Sequence, residues 1–353
     1  MNALPFLDLP IVQAPMASAA TPELAAAVSK AGGLGSLGLG YTSPAAMRET
    51  IRATRRLTGA AFAVNLFLAP RTDAPDERLA RANEILRPFR GALGIAQPEL
   101  PHAPAPALDE QFGVVLEERP AVWSFTFGVP TPEMLEACKR SNIFTIGTAT
   151  TVEEAVILRD AGVDAVCAQG YEAGGHRGTF LRDVGESLIG TLALVPQVVD
   201  AIDIPVVAAG GIGDGRGVAA VLALGACAAQ IGSAFLLCDE AAVPAPYRRT
   251  LASPAAADTT LTAAFSGRTA RAIRNRFTRE MRDTVEIAPY PMQNDLTRDI
   301  RAASLERDSS DYLALWAGQA ASLARAEPAA ATVARLMHEA SHAAKVAHAI
   351  AQK

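Results

Sequence analysis

Eight short apolar segments, each followed by a stretch with helix punctuation, constrain this chain more than any other feature. They cover residues 11–14, 34–37, 62–66, 121–125, 143–146, 165–169, 204–208 and 228–231, and they are rich in Val, Ile and Ala. Strands of that composition suit a sheet buried on both faces. Between them, Thr21-Pro22-Glu23, Ser43-Pro44, Thr131-Pro132-Glu133 and Thr151 with Glu153 and Glu154 place a hydroxyl at a helix start. A Ser or Thr there can accept from an orphan backbone N–H, and proline suits the first helical position. Strands alternating with helices imply a parallel sheet with crossover helices. Eight such units predict an α/β fold, the TIM (β/α)8 barrel.

The rhythm breaks twice. A Pro-rich stretch at 97–107 is a first insertion or irregular loop. From about 238 to 301 the strand signal vanishes, and the sequence reads as helical, Arg-rich and Pro-punctuated. The expected division is therefore a barrel of 1–70, 115–236 and 310–353, with 71–114 and 237–309 as helical insertions forming a smaller substrate or lid domain. The Ala-rich tail from 312 to 353 is expected to supply the final barrel helix.

The 353 residues are half apolar and one-fifth charged, with a net charge of −5. An acidic balance disfavours binding to a phosphate backbone, so nucleic acid is not an expected partner. No apolar stretch has the length or continuity of a membrane span. The N-terminal twenty residues lack a basic region and carry Pro5, Pro10 and Pro15, which argues against a signal peptide. Cys138, Cys167, Cys227 and Cys238 are scattered inside or beside apolar runs without a C-x-x-C pair, and read as buried free thiols of a cytoplasmic protein.

In such a barrel, functional groups follow the carboxyl ends of strands, and phosphate commonly binds the loops after strands seven and eight. The seventh strand runs into Ala209-Gly210-Gly211-Ile212-Gly213-Asp214-Gly215, and the eighth ends in Gln230-Ile231-Gly232-Ser233. Glycine lets backbone amides approach an anion, although tight turns need glycine as well. Phosphate is favoured because two such turns occur at adjacent strand ends. The sixth strand ends in Gln169-Gly170-Tyr171-Glu172-Ala173-Gly174-Gly175-His176-Arg177-Gly178. A lone histidine is usually structural or exposed, yet His176 in a glycine-rich loop at this rim favours a general base. Glu172 and Arg177 read as a loop-stabilising ion pair.

Three other patterns mislead. Gly33-Leu34-Gly35-Ser36-Leu37-Gly38 matches G-x-G-x-x-G but follows a helix and enters a strand, the reverse of the dinucleotide-binding order. His338-Glu339-Ala340-Ser341-His342 matches H-E-x-x-H, with His348 at a third-ligand spacing, but Lys345 replaces the glycine that turns the chain toward that ligand. An exposed helix face is the better reading, and no metal is expected. Arg268, Arg271, Arg274, Arg276, Arg279 and Arg282 read by default as a solvated, ion-paired helix face. The alternative is that a few bias the site toward an anionic substrate.

The motifs resemble the nitronate monooxygenases, formerly called 2-nitropropane dioxygenases, which are FMN-dependent barrel enzymes. Gln13-Ala14-Pro15-Met16 followed by TPELAAAVSKAGGLGSLG is similar to the first motif of that family, and Val64-Asn65-Leu66-Phe67 to its second. QGYEAGGHRGTF, beginning at Gln169, is the most specific; IPVVAAGGIGDGRGVAAVLALGA and Ala229-Gln230-Ile231-Gly232-Ser233-Ala234-Phe235 complete the set. AFSGRTARAIRNRF, PYPMQNDLTRDIR and LWAGQ resemble segments of the branch with a histidine base.

The resemblance implies that His176 removes the proton beside a nitro group or positions the nitronate. It implies that Asn65 and Gln169 hydrogen-bond the isoalloxazine, Met16 lies against the ring, and Gly174 lets the loop approach the flavin. Gly211, Gln230, Ile231, Gly232 and Ser233 would hold the FMN phosphate. The implied reaction is oxidation of an alkyl nitronate, or of a nitroalkane after deprotonation, by O2 to a carbonyl compound and nitrite. The flavin supplies the redox chemistry and the protein supplies orientation, base and access. Ala17-Ser18-Ala19-Ala20 departs from the usual Gly-Val-Ser after the first-motif Met, and Ser233 stands where Thr is common. The alternatives are an FMN-dependent NAD(P)H reductase, of enoyl or quinone type, and a flavin-binding protein without turnover. A homodimer stays open.

Overall fold

A computed structural model describes residues 4–69, 75–98 and 107–352. Eleven strands occur among them: β1 (Ile11–Gln13), β2 (Gly35–Gly38), β3 (Phe62–Phe67), β4 (Val122–Thr126), β5 (Phe144–Ala149), β6 (Ala165–Gln169), β7 (Gly175–His176), β8 (Val206–Ala209), β9 (Ala228–Ile231), β10 (Thr259–Thr262) and β11 (Ala270–Ile273). Eight of these form a parallel sheet in the order β1-β9-β8-β6-β5-β4-β3-β2. The parallel bridge between Val12 and Leu34 brings β1 back beside β2 and closes the TIM barrel. All eight expected strands are present, with ends shifted by up to three residues. Val64, Trp123, Phe125, Val166 and Ala208 are fully or almost fully buried, as a sheet covered on both faces requires.

The expected caps form. Thr21 Oγ1 accepts from the Leu24 N–H at 3.0 Å, Ser43 Oγ from Ala46 at 3.4 Å, Thr131 Oγ1 from Met134 at 3.3 Å, and Thr151 Oγ1 from Glu154 at 3.2 Å. Each such cap contributes about 1 kcal/mol to its helix. The helix Ala329–Ala351 packs against Gly215–Ala223 and Pro22–Lys30, and so takes the place of the last barrel helix.

The second insertion departs from the helical expectation. Strands β10 and β11 lie within it and form a three-stranded antiparallel sheet with β7, pairing Thr260 with Ala272 and Ala270 with His176. These strands are only four residues long, and β10 is half-buried throughout, so neither carries the apolar run that marks a barrel strand. The two insertions also share a hydrophobic core separate from that of the barrel. Leu86 and Phe89 from the first pack with Phe265, Phe277 and Ile300 from the second. Buried Arg90 ties them together by donating from Nε to Asp299 at 2.7 Å and from Nη2 to the Leu296 carbonyl at 2.7 Å. Residues 99–106 of the Pro-rich stretch lie outside the described residues.

Candidate active site

A cavity of about 590 Å³ opens at the carboxyl ends of the barrel strands. Met16, Asn65, Gln169, Gly174, His176 and Gly211 line it, as do Gln230, Gly232 and Ser233. The structure thus gathers nine of the ten residues named from the sequence around one space. The tenth, Ile231, is buried among core residues and presents no side chain to the cavity. Ala17, Ser18 and Ala19, where the first motif departs from its usual form, lie on the cavity wall.

The loop after β6 is held by buried polar groups. Gln169 Oε1 accepts from the Gly178 N–H at 2.8 Å and from Arg177 Nη1 at 3.0 Å, while its Nε2 donates to the His176 carbonyl at 3.0 Å. An amide nitrogen carries two hydrogens, so Gln169 retains one donor. Arg177 and Glu172 do not pair with each other. Arg177 is fully buried and donates to the carbonyls of Gly170 at 2.7 Å and Ser187 at 3.0 Å. Glu172 instead accepts from the N–H and Oγ1 of Thr191, capping the helix Thr191–Ala201. Both residues stabilise the loop, each by its own hydrogen bonds.

His176 sits at the centre of an aromatic cluster. Its ring centroid is 5.5 Å from that of Trp316, 5.8 Å from Phe127, 5.9 Å from Tyr290 and 6.1 Å from Phe67. Nε2 lies 2.8 Å from Ser266 Oγ, whereas Nδ1 has no hydrogen-bond partner among the described residues and is left to the cavity. Burial first, and then the charge of Arg268, bring the imidazole pKa down to about 3, so the ring is neutral with a free lone pair near pH 7. Burial pushes the phenols of Tyr41, on the cavity wall, and of Tyr290, beside the His176 ring, up, which keeps both as hydroxyls.

The arginine-rich segment corrects the default reading. Arg274 and Arg276 make the expected ion pairs, with Asp258 and Glu280. Arg268 and Arg271 do not lie on a solvated face. Arg271 is buried in β11 and donates to the Tyr171 carbonyl at 2.9 Å. Arg268 stacks 3.9 Å over the Phe127 ring, beside His176, and donates to the Thr179 carbonyl. The pairing of β11 with β7 places Arg271 opposite Gly175, and the turn just before β11 carries Arg268; no charge pattern announces either.

Three groups missed in the sequence complete the site. Asn65 Nδ2 donates to Ser124 Oγ at 3.0 Å, which orients its amide. The Gly318 N–H donates to Ser233 Oγ at 2.9 Å, and a Cβ at Gly174 would fall 2.5 Å from the Gly318 nitrogen. The third is Ser266, on the second insertion. The LWAGQ segment is a usable signal for Gly318 and AFSGRTARAIRNRF for Ser266; nothing local marks Ser124.

A family model described as nitronate monooxygenase matches residues 2–339 of this chain. The chain belongs to the nitronate monooxygenase family. A Staphylococcus aureus (strain Newman) protein named "Probable nitronate monooxygenase" is 38% identical over 335 residues, which is 94% of each chain. Nitroalkane oxidase from Streptomyces ansochromogenes superposes with a TM-score of 0.91 at 42% identity, over 97% of this chain and 98% of that one. FabK from Thermotoga maritima shares the fold less closely, with a TM-score of 0.74 at 30% identity over 98% of this chain and 96% of that one. Membership makes the chain an oxidoreductase and supports oxidation of nitronates or nitroalkanes with a flavin. No helix among the described residues is long and apolar enough to cross a membrane.

Proposed function

We propose that the chain binds FMN and oxidises alkyl nitronates, and nitroalkanes after deprotonation by His176, with O2 to a carbonyl compound and nitrite. The observation that carries this reading is the His176 ring on the cavity wall, with Nε2 bonded to Ser266 and Nδ1 neither partnered nor enclosed among the described residues; burial favours its neutral form. In the deprotonation, the C–H bond beside the nitro group breaks, its proton passes to Nδ1, and its electron pair stays on the nitro compound as the nitronate. The negative charge then forms beside the imidazolium and Arg268, in surroundings of low polarity where such attraction is strong.

The residues present fit FMN. The backbone N–H groups of Gly211, Gly232 and Ser233 have no acceptor among the described residues, as an anion cradle needs. Gly211 has φ +70° and Gly174 sits against backbone, so both close approaches require glycine. Those amides would hold the phosphate, Asn65 and the remaining Gln169 donor would meet the isoalloxazine, and Met16 would lie against it. When bound, FMN supplies the redox chemistry that links nitronate oxidation to O2. The second core shared by 71–114 and 237–309 supports their reading as a small domain over the substrate end of the cavity. Four unpaired cysteines suit a cytoplasmic setting.

The test compares wild type with His176→Asn in the FMN-loaded protein, measuring nitrite from nitroethane and from preformed ethylnitronate. Loss of about 100-fold or more in kcat/KM on nitroethane, with nitronate turnover largely kept, is expected when a general base is removed. Full nitroethane turnover by the variant overturns the assignment. Anaerobic flavin reduction by NADH, but not by ethylnitronate, moves the chain to the reductases.

A further inference from the structure

We propose that Ser266 is a positioning residue that holds the His176 proton on Nε2 and so makes Nδ1 the atom that accepts the substrate proton. The inference rests on the reading of His176 as the base. Ser266 is 1% exposed and lies 90 residues from His176 in sequence. Its Oγ is 2.8 Å from His176 Nε2, 3.0 Å from the Arg268 carbonyl oxygen, and 3.3 Å from the Arg268 N–H.

Counting hydrogens settles the direction. A serine hydroxyl has one proton to donate, and a carbonyl oxygen can only accept. No other donor to the Arg268 carbonyl occurs among the described residues. If Ser266 gave its proton to His176, that part-buried carbonyl would lose the one donor it has among the described residues, which is unfavourable. If it donates to the carbonyl, the 2.8 Å contact is satisfied only when Nε2 carries hydrogen. The chain of donors then runs from Nε2–H to Oγ and from Oγ–H to the Arg268 carbonyl. Each bond polarises the next. A neutral imidazole with hydrogen on Nε2 has its lone pair on Nδ1, the nitrogen facing the cavity. When Nδ1 takes the substrate proton, Nε2–H becomes a charge-assisted donor and the same chain stabilises the imidazolium.

The geometry also fixes the ring in place. Gly267, next to Ser266, has φ +82°, and a Cβ there would lie 2.4 Å from the Ala288 carbonyl, so the turn carrying Ser266 is held against the 288–290 segment. Pairing of β7 with β11 sets Ala270 opposite His176, so both ends of the Ser266–His176 bond are anchored by backbone.

The decisive measurement is a nitrogen-15 spectrum of the FMN-loaded wild type labelled at histidine, with His176 assigned by its loss in His176→Asn. The expected result is hydrogen on Nε2, an unprotonated Nδ1, and an Nε2–H proton slow to exchange. Hydrogen on Nδ1 overturns the proposal without any variant having to fold. Ser266→Ala is expected to lose the protected Nε2–H signal and to lower kcat/KM on nitroethane by about 10- to 100-fold, with ethylnitronate changed less than about threefold. Ser266→Thr keeps the hydroxyl and is expected to restore both. Equal losses on both substrates, or an unaltered signal in Ser266→Ala, refute the positioning role. If His176→Asn itself keeps full nitroethane turnover, the underlying base assignment fails. If that variant loses turnover while Ser266→Ala shows no difference between the two substrates, only the present inference fails.

Discussion

Replacing Glu154 by glutamine tests how the loop bearing His176 is held. The carboxylate is fully buried and forms no ion pair among the described residues. Its Oε2 accepts from the Thr150 N–H at 2.6 Å and from Thr150 Oγ1 at 2.7 Å. Oε1 accepts from Thr179 Oγ1 at 2.9 Å and from the N–H groups of Phe180 at 2.6 Å and Leu181 at 3.0 Å. One side chain thus joins the end of β5 to the segment that follows His176. Glutamine keeps the volume and one acceptor oxygen. If that oxygen faces the three donors, the amide NH2 faces the Thr150 N–H and leaves it without an acceptor, at about 1–3 kcal/mol. The three bonds at Oε1 also fall from charge-assisted to neutral strength. Relief of carboxylate desolvation works the other way. Five donors already compensate that charge, so a net loss of about 3 kcal/mol is expected. Unfolding entropy scales with length and comes to about 0.7 kcal/mol/K here, so Tm should fall by about 4 °C in a calorimetric scan. Glu153→Gln is the control, because its pair with Arg182 is half-exposed on both sides and should shift Tm by less than about 1 °C. An unchanged or raised Tm in Glu154→Gln refutes the reasoning and shows that desolvation outweighs the five hydrogen bonds.

Gly174→Ala places a Cβ 2.5 Å from the Gly318 nitrogen and 2.6 Å from the Ala317 carbonyl carbon, and neither backbone atom can rotate away. Overpacking of this kind costs about 1–3 kcal/mol, so reduced flavin content after reconstitution and a Tm lower by about 1–4 °C are expected; wild-type values for both would show that the contact is absent. The depressed pKa of His176 carries a sign for stability. Between about pH 6.5 and 3 the unfolded chain binds a proton that the native ring does not, so the native state loses stability as pH falls through that window. His176→Asn should therefore show a weaker fall of Tm between pH 7 and 4 than wild type, and parallel profiles would contradict the shift. The same value means that kcat/KM on nitroethane should show no falling limb from His176 between pH 5 and 8; a limb near pH 6.5 would place the free-enzyme pKa at its ordinary value. Burial raises all four thiols, Cys138 and Cys167 to about 12 and Cys227 and Cys238 to about 11. A disulfide reagent at pH 8 should find no fast-reacting thiol in the native protein and four after unfolding.

The parts of the site that were legible in the sequence are those set by local chemistry. Gly211, Gly232 and His176 follow strand ends that their own apolar runs announce, and Thr21, Ser43, Thr131 and Thr151 cap the helices they precede. The H-E-x-x-H match belongs to the long helix Ala329–Ala351, where Glu339 accepts from the Gly215 N–H at 3.0 Å and pairs with Arg335. The chain's backbone need there is for a carboxylate acceptor, and that need is invisible in the motif.

The amino-acid sequence alone determined the barrel, the family, the glycine turns and the histidine loop, because strand period, helix caps and turn conformations depend on neighbours a few residues apart. Tertiary structure decided what surrounds the histidine. Ser266 and Arg268, from the connection between β10 and β11, and Tyr290 and Trp316 come from 90 to 140 positions beyond His176 in the chain, and Tyr41 and Phe67 from more than 100 before it. Their positions follow from a short strand pairing and from a second core built by two separate insertions. Those contacts gain their energy only once the barrel has brought the segments together, so no local pattern records them.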